Sequence, residues 1–209
     1  MNNIAVFISG RGSNFIKLYE NIESGHIKNG KISVVFSNKT DAQGLEFAKE
    51  KNIPVITLDI KDFKSREDFD KEIVKAIEPY KIDLICLAGY MRIVTKELVN
   101  AYPNKILNIH PALLPSFPGL HSQKQALDYG VKVSGCTVHF VDCGLDSGPI
   151  ILQRVVPVYS YDTEDTISSR ILKEEHIAYS IAVDLFCNNK LKVNGRIVEI
   201  EENKDDLES

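Results

Sequence analysis

Short apolar runs alternate with amphipathic stretches through the first half of the chain. Ile4–Ser9, Ile32–Ser37, Val55–Leu58, Asp83–Ala88 and Lys105–His110 are dense in Ile, Val, Leu and Phe. Unbroken apolarity over such short lengths is typical of strands covered on both faces, as in a parallel sheet. Between the runs the spacing predicts helices. One follows Gly10-Arg-Gly-Ser-Asn14, carries Phe15, Ile16, Leu18, Tyr19 and Ile22, and stops near Gly25. Others span Asp41 to Lys51 and Thr95 to Ala101. A further helix opens at Ser65, with Asp68 three residues on as a weak capping box, and places Phe69, Ile73, Val74 and Ile77 on one face. The alternation predicts an α/β, Rossmann-like, mostly parallel sheet flanked by helices.

The pattern changes after His110. Pro111, Pro115, Pro118 and Gly119 enforce an irregular segment. Val133–Val141 and Pro149–Pro157 read as strands without a good helix between them, which predicts mixed or antiparallel pairing. Thr163 to Cys187 is a long helix. Leu191-Lys-Val and Arg196–Ile200 flank Asn194-Gly195, the signal of a C-terminal hairpin with a type I′ turn. Residues 1–200 are expected to form a single domain, and Glu201 to Ser209 a disordered charged tail.

Composition narrows the function. The 209 residues are 44% hydrophobic and 26% charged, with a formal net charge of −4. That balance argues against non-specific nucleic-acid binding but leaves room for a small anion pocket. No apolar run approaches the roughly 20 residues of a membrane span, and the N-terminus lacks the pattern of a signal peptide. Cys86, Cys136, Cys143 and Cys187 show no CxxC spacing and read as free thiols in a reducing cytoplasm.

Two segments carry candidate chemistry. Gly10-Arg-Gly-Ser-Asn14 joins the first strand to the first helix. Its glycines let backbone N–H groups approach an anion, the helix start adds unpaired donors, and Ser13 and Asn14 are candidate caps. It lacks the Walker A lysine, and Phe15 stands where a dinucleotide fingerprint needs its third glycine, so a single phosphate fits better. The alternative is a tight turn with no ligand. In the second segment, Asn108 and His110 lie two apart on a strand and face one way, at the carboxyl end where open α/β sheets bind ligands. Gly144, Asp146 and Gly148 suit a loop folded tightly over a site, and a carboxylate there would favour the cationic form of His110. His139 reads as structural, His26 as inert, and His121 as a neighbour of the site. A metal held by His110, His121 and His139 has no recognised ligand spacing behind it. Glu174 and Glu175 fall within or beside the apolar stripe of the long helix. They require partners there, unless the helix kinks to expose them.

Asn108-Ile-His-Pro-Ala-Leu-Leu-Pro-Ser-Phe-Pro-Gly-Leu-His121 and Leu145-Asp-Ser-Gly148 together resemble the phosphoribosylglycinamide formyltransferase family. Ile8–Asn14, Phe36–Lys39, Leu87–Ile93 and Glu175-His176 extend the resemblance over nearly the whole chain. It implies transfer of formyl from 10-formyltetrahydrofolate to the amine of glycinamide ribonucleotide (GAR) in purine synthesis, without a metal, by a monomer or homodimer. It implies a phosphate-binding half over 1–110 and a folate and catalytic half over 111–200. Asn108, His110 and Asp146 would be catalytic. Gly12, Ser13 and Asn14 would hold the substrate phosphate, and Glu175 its glycinamide part. Arg66, Met91, Arg92, Ile93 and Val94, with Asn108 and the loop Val141, Asp142, Cys143, Gly144, Leu145 and Asp146, would form the folate site. Cys143 stands where the family often has an acid. The rivals are a formyltetrahydrofolate deformylase, expected to carry an added leading domain and a second histidine where this chain has Pro111; a methionyl-tRNA formyltransferase, which needs an RNA-binding domain; and a non-catalytic phosphate- or folate-binding module.

Overall fold

The computed structural model describes residues 1–201; of the charged tail expected from Glu201 to Ser209, residues 202–209 lie outside the described residues. The strands are β1 (Asn2–Ile8), β2 (Gly30–Ser37), β3 (Val55–Thr57), β4 (Leu84–Leu87), β5 (Ile106–His110), β6 (Val133–Phe140), β7 (Ile150–Pro157), β8 (Leu191–Asn194) and β9 (Ile197–Ile200). The helices are α1 (Ser13–Glu23), α2 (Gly44–Glu50), α3 (Arg66–Ile77), α4 (Lys96–Ala101), α5 (Ser122–Tyr129) and α6 (Glu164–Cys187).

Among the described residues these strands form one nine-stranded sheet in the order β3-β2-β1-β4-β5-β6-β7-β9-β8. The first five of that order run parallel. Then β6 pairs antiparallel with β5, and β7 antiparallel with β6. The chain moves outward from β1 through β2 to β3, then returns to place β4 on the other side of β1. That reversal opens a crevice at the carboxyl ends of β1 and β4. Apolar residues fill both faces of the sheet. Ile4, Val6, Leu107 and Ile109 pack with α1 and α6 on one side, and Ala5, Phe7, Ile85 and Ile106 with α3 and α4 on the other.

The local signals act as their chemistry requires. Ser65 Oγ accepts from Asp68 N at 3.0 Å and starts α3. Gly25, at φ 77°, takes the left-handed turn after α1. The deep helix α6 is anchored by Tyr179, whose hydroxyl lies 3.1 Å from the Leu87 carbonyl and 3.0 Å from that of Leu107.

Three expectations need correction. Neither Ser13 nor Asn14 caps α1: the cap position is Gly12, at φ 72°, with no side-chain cap. The second helix is shorter than expected, because Asp41 to Gln43 form a turn before Gly44. In the hairpin Asn194 pairs with Ile197, so the turn centre is Gly195-Arg196, and of these only Gly195 has positive φ. A type I′ turn needs positive φ at both central residues, so the hairpin turns on a leading glycine instead. The helix α5 was not expected at all. It opens at His121, itself in the left-handed region at φ 58°, without a capping side chain.

Candidate active site

The crevice is bounded by three segments that leave the carboxyl ends of neighbouring strands: residues 9–14 after β1, 88–95 after β4, and Asn108 to His110 at the end of β5. The loop 141–149, between β6 and β7, meets the third segment through Asp146.

The first segment offers backbone. With Gly12 as an uncapped start, the first-turn amides of α1 are left without side-chain acceptors. Asn14 turns inward instead, and its Nδ2 donates to Glu175 Oε2 at 2.8 Å. Its Oδ1 is buried and has no partner among the described residues. Glu175, on α6, is buried, and that burial raises its carboxyl above the usual range; the Asn14 hydrogen bond works in the opposite direction. Glu174 emerges at the half-exposed surface and pairs with Arg154. The unbroken helix α6 therefore buries one acid and exposes its neighbour, so the kinked alternative does not arise.

In the second segment Gly89 turns at φ 76°. Met91 and Ile93 are 66% and 53% exposed, so their apolar side chains line an open rim rather than a core. Val94 is buried, and the Arg92 guanidinium sits over the Phe69 ring, 5.4 Å from its centroid. Arg66 stands exposed at the start of α3, with no hydrogen bond or ion pair recorded for it among the described residues. The structure does not connect it to the other candidates.

The third segment joins the candidate acid–base groups. His110 is buried, and its Nδ1 lies 3.4 Å from Asp146 Oδ2. Its Nε2 lies 2.8 Å from the Phe117 carbonyl, which can only accept, so Nε2 carries a hydrogen and donates. Asp146 reaches the ring from a left-handed backbone at φ 48°, and its Oδ2 also accepts from Gly119 N at 2.8 Å. The irregular segment that holds Phe117 is itself tied to β6: Thr137 Oγ1 donates to the Ala112 carbonyl at 2.7 Å and accepts from Leu114 N at 3.0 Å.

Asn108 has a partner in His139, the histidine that reads as structural in the sequence. On β6, His139 pairs directly across from it. His139 Nδ1 donates to the Phe140 carbonyl at 2.8 Å, which leaves Nε2 as the acceptor for Asn108 Nδ2 at 3.2 Å. Burial lowers the His139 pKa and keeps the ring neutral, although Asp146 opposes that shift. The 3.9 Å approach of His139 Nε2 to Asp146 Oδ1 is therefore not an ion pair. His139 fixes which end of the Asn108 amide faces inward, and it leaves the second Nδ2 hydrogen available.

The loop 141–149 is built from tight approaches. Asp142 Oδ1 accepts from Gly144 N at 3.0 Å and from Ser147 Oγ at 2.7 Å. A Cβ on Gly148 would stand 1.8 Å from the Phe140 carbonyl oxygen, and one on Gly144 would stand 2.0 Å from Ser147 Oγ. Val141 packs on the α3 side of the core, while Cys143 and Leu145 are exposed. Among the described residues no cluster of three or more His, Cys, Asp or Glu side chains is arranged to hold a metal ion. No described helix is long and apolar enough to cross a membrane.

The fold that carries this crevice, with its uncapped glycine turn and its Asn–His–Asp group on the adjoining strand and loop, is that of the formyl transferases. The formyl transferase family profile matches residues 2–183, and the chain belongs to that family. Within it, the chain is 44% identical to the phosphoribosylglycinamide formyltransferase of Escherichia coli (strain K12) over 92% of this chain and 90% of that protein. It superposes on a glycinamide ribonucleotide transformylase 1 from Symbiobacterium toebii with a TM-score of 0.94 and 47% identity, covering 97% of this chain and 95% of that one. A formyltetrahydrofolate deformylase from Pseudomonas syringae shares the fold at a TM-score of 0.89 but only 25% identity, with 96% of this chain and 66% of that one covered.

Proposed function

We propose that this protein transfers the formyl group of 10-formyltetrahydrofolate to the amine of GAR, giving formyl-GAR and tetrahydrofolate for purine synthesis in the cytoplasm, as a monomer or homodimer. The observation that carries the reading is the contact of His110 with Asp146, on the strand that also bears Asn108. The close similarity to phosphoribosylglycinamide formyltransferases supports the same substrates.

The substrate phosphate is held by Gly12, Ser13 and Asn14, where free helix-start amides meet an anion. Glu175 receives the glycinamide part. The folate lies against Met91, Arg92, Ile93 and Val94 and under Val141, Asp142, Cys143, Gly144, Leu145 and Asp146; Arg66 serves its outer end. The amine attacks the formyl carbon, and a tetrahedral oxyanion develops. The free Nδ2 hydrogen of Asn108 and a ring N–H of His110 stabilise that charge. Because Nε2 is committed to Phe117, the nitrogen that serves the reaction is Nδ1, shared with Asp146. Asp146 orients the ring through its contact with Nδ1. The C–N bond to N10 then breaks, N10 gains a proton, and the amine loses one. His110 relays these protons directly or through water, so the reaction is balanced without a metal or an external acid.

A steady-state assay with both substrates tests the reading. Tetrahydrofolate should appear only when GAR is present, together with an equal amount of formyl-GAR. Release of free formate at a comparable rate without GAR would identify a deformylase instead. Binding of both compounds with no turnover would leave only a binding module.

A further inference from the structure

Ser9 is the residue between β1 and the glycine turn, and it is buried. Its hydroxyl donates to Asn38 Oδ1 at 2.6 Å and accepts from Met91 N at 2.9 Å. One oxygen atom thus joins the start of the phosphate loop, the turn after β2, and the rim segment after β4. The backbone ladder between β1 and β4 ends before this point, with Phe7 paired to Leu87 and Ala88 N donating to the Phe7 carbonyl at 2.8 Å. Beyond that ladder, the Ser9–Met91 contact is the hydrogen bond recorded between residues 9–14 and 89–95 among the described residues.

The rim segment is otherwise held from its far end. There buried Asp70, on α3, accepts from Thr95 N at 2.6 Å. Residues 91–94 run between these two hydrogen bonds, with Arg92 over Phe69 and Val94 packed in the core. Met91 and Ile93 alternate with them and are largely exposed. The Ser9 hydroxyl is the hydrogen-bonded link between the start of residues 9–14 and Met91. Removing the hydroxyl leaves Met91 N and Asn38 Oδ1 both without this partner and cuts the linkage at its narrowest point.

We infer that Ser9 is a positioning residue that couples the two substrate sites, so that an occupied phosphate loop sets the folate-facing rim through the Ser9 hydroxyl. This rests on the proposed function, because it takes residues 10–14 as the GAR phosphate site and 91–94 as the folate rim. Coupling of this kind is reciprocal and reads as a ratio of affinities.

The test is calorimetric titration of the full-length protein with tetrahydrofolate, which cannot react, alone and with saturating GAR. The native protein should bind tetrahydrofolate about fivefold or more tightly when GAR is present. Ser9→Ala should bring that ratio close to one while changing the affinity without GAR by less than about threefold, a separation that a purely structural staple would not produce. Asn38→Ala removes the hydroxyl's acceptor from a less buried position. It should lower the ratio in the same direction and carries the test if Ser9→Ala fails to fold. A native ratio of one, or a ratio unchanged in the variants, overturns the inference and leaves the functional reading standing. Failure of the native protein to bind GAR defeats the functional reading itself.

Discussion

Two loops carry candidate groups of the site and are made in opposite ways. Residues 10–14 present backbone: a left-handed Gly12, an uncapped helix start, and one inward side chain, Asn14, that is held by α6. Residues 141–149 present a side chain, Asp146. The rest of that loop exists to place it, through Asp142 bridging Gly144 and Ser147 and through glycines where no Cβ fits. A backbone site spreads its work over groups that every residue owns, so it tolerates side-chain changes. A site resting on one carboxylate and one ring does not.

The contrast predicts a ranking. The largest losses should follow His110→Ala and Asp146→Asn, each lowering turnover by about 10²–10⁴ with little change in KM for GAR, measured by steady-state kinetics. A normal rate in either purified variant would remove that residue from the chemistry. Next comes Gly148→Ala. Its new Cβ collides with the Phe140 carbonyl. It should destabilise the protein by about 1–3 kcal/mol in thermal melts and, by shifting Asp146, cut the rate by about 10²-fold. Native behaviour would mean that the loop's packing does not govern the site.

Ser13→Ala, in the backbone-built loop, should raise KM for GAR only about threefold to tenfold and leave turnover nearly intact. A loss as large as that of Asp146→Asn would erase the distinction between the loops.

The smallest effect is on stability and depends on pH. The Glu175 carboxyl is raised by burial, so the native state holds its proton more tightly than the unfolded chain does. Stability from this group is complete below the unfolded value of about 4.5 and declines as pH rises through the folded value. Glu175→Gln removes that penalty while its amide oxygen can still accept from Asn14. It should therefore melt a few degrees higher than the native protein near pH 7.5 and at nearly the same temperature near pH 4. An equal difference at both pH values would refute the ionisation account.

Much of this arrangement is legible in the sequence, because strands covered on both faces leave unbroken apolar runs. The Asn108–His110 pair declares itself by a two-residue period at a strand end. Asp146 emerges only from its glycine-rich surroundings and from the family resemblance. His139 looks structural because its partner is set by the antiparallel register of β5 and β6, which a single sequence does not reveal. The helix α5 leaves no start signal in the sequence because a left-handed histidine opens it in place of a capping side chain. The turn of the C-terminal hairpin shifted by one residue because Asn194 joins the ladder rather than the loop. Arg66 remains outside the assembled group, since long side chains at a helix start are not fixed by any pattern in the chain.

The most direct measurement of the central claim is a crystal structure of the protein with GAR and tetrahydrofolate bound together. The account predicts the phosphate within about 3 Å of the Gly12–Asn14 amides. It also predicts the glycinamide amine and N10 of the folate converging on Asn108 Nδ2 and His110 Nδ1, with the reacting atoms about 3–3.5 Å apart. A phosphate seated elsewhere, or a His110 ring turned away from the amine, would contradict it.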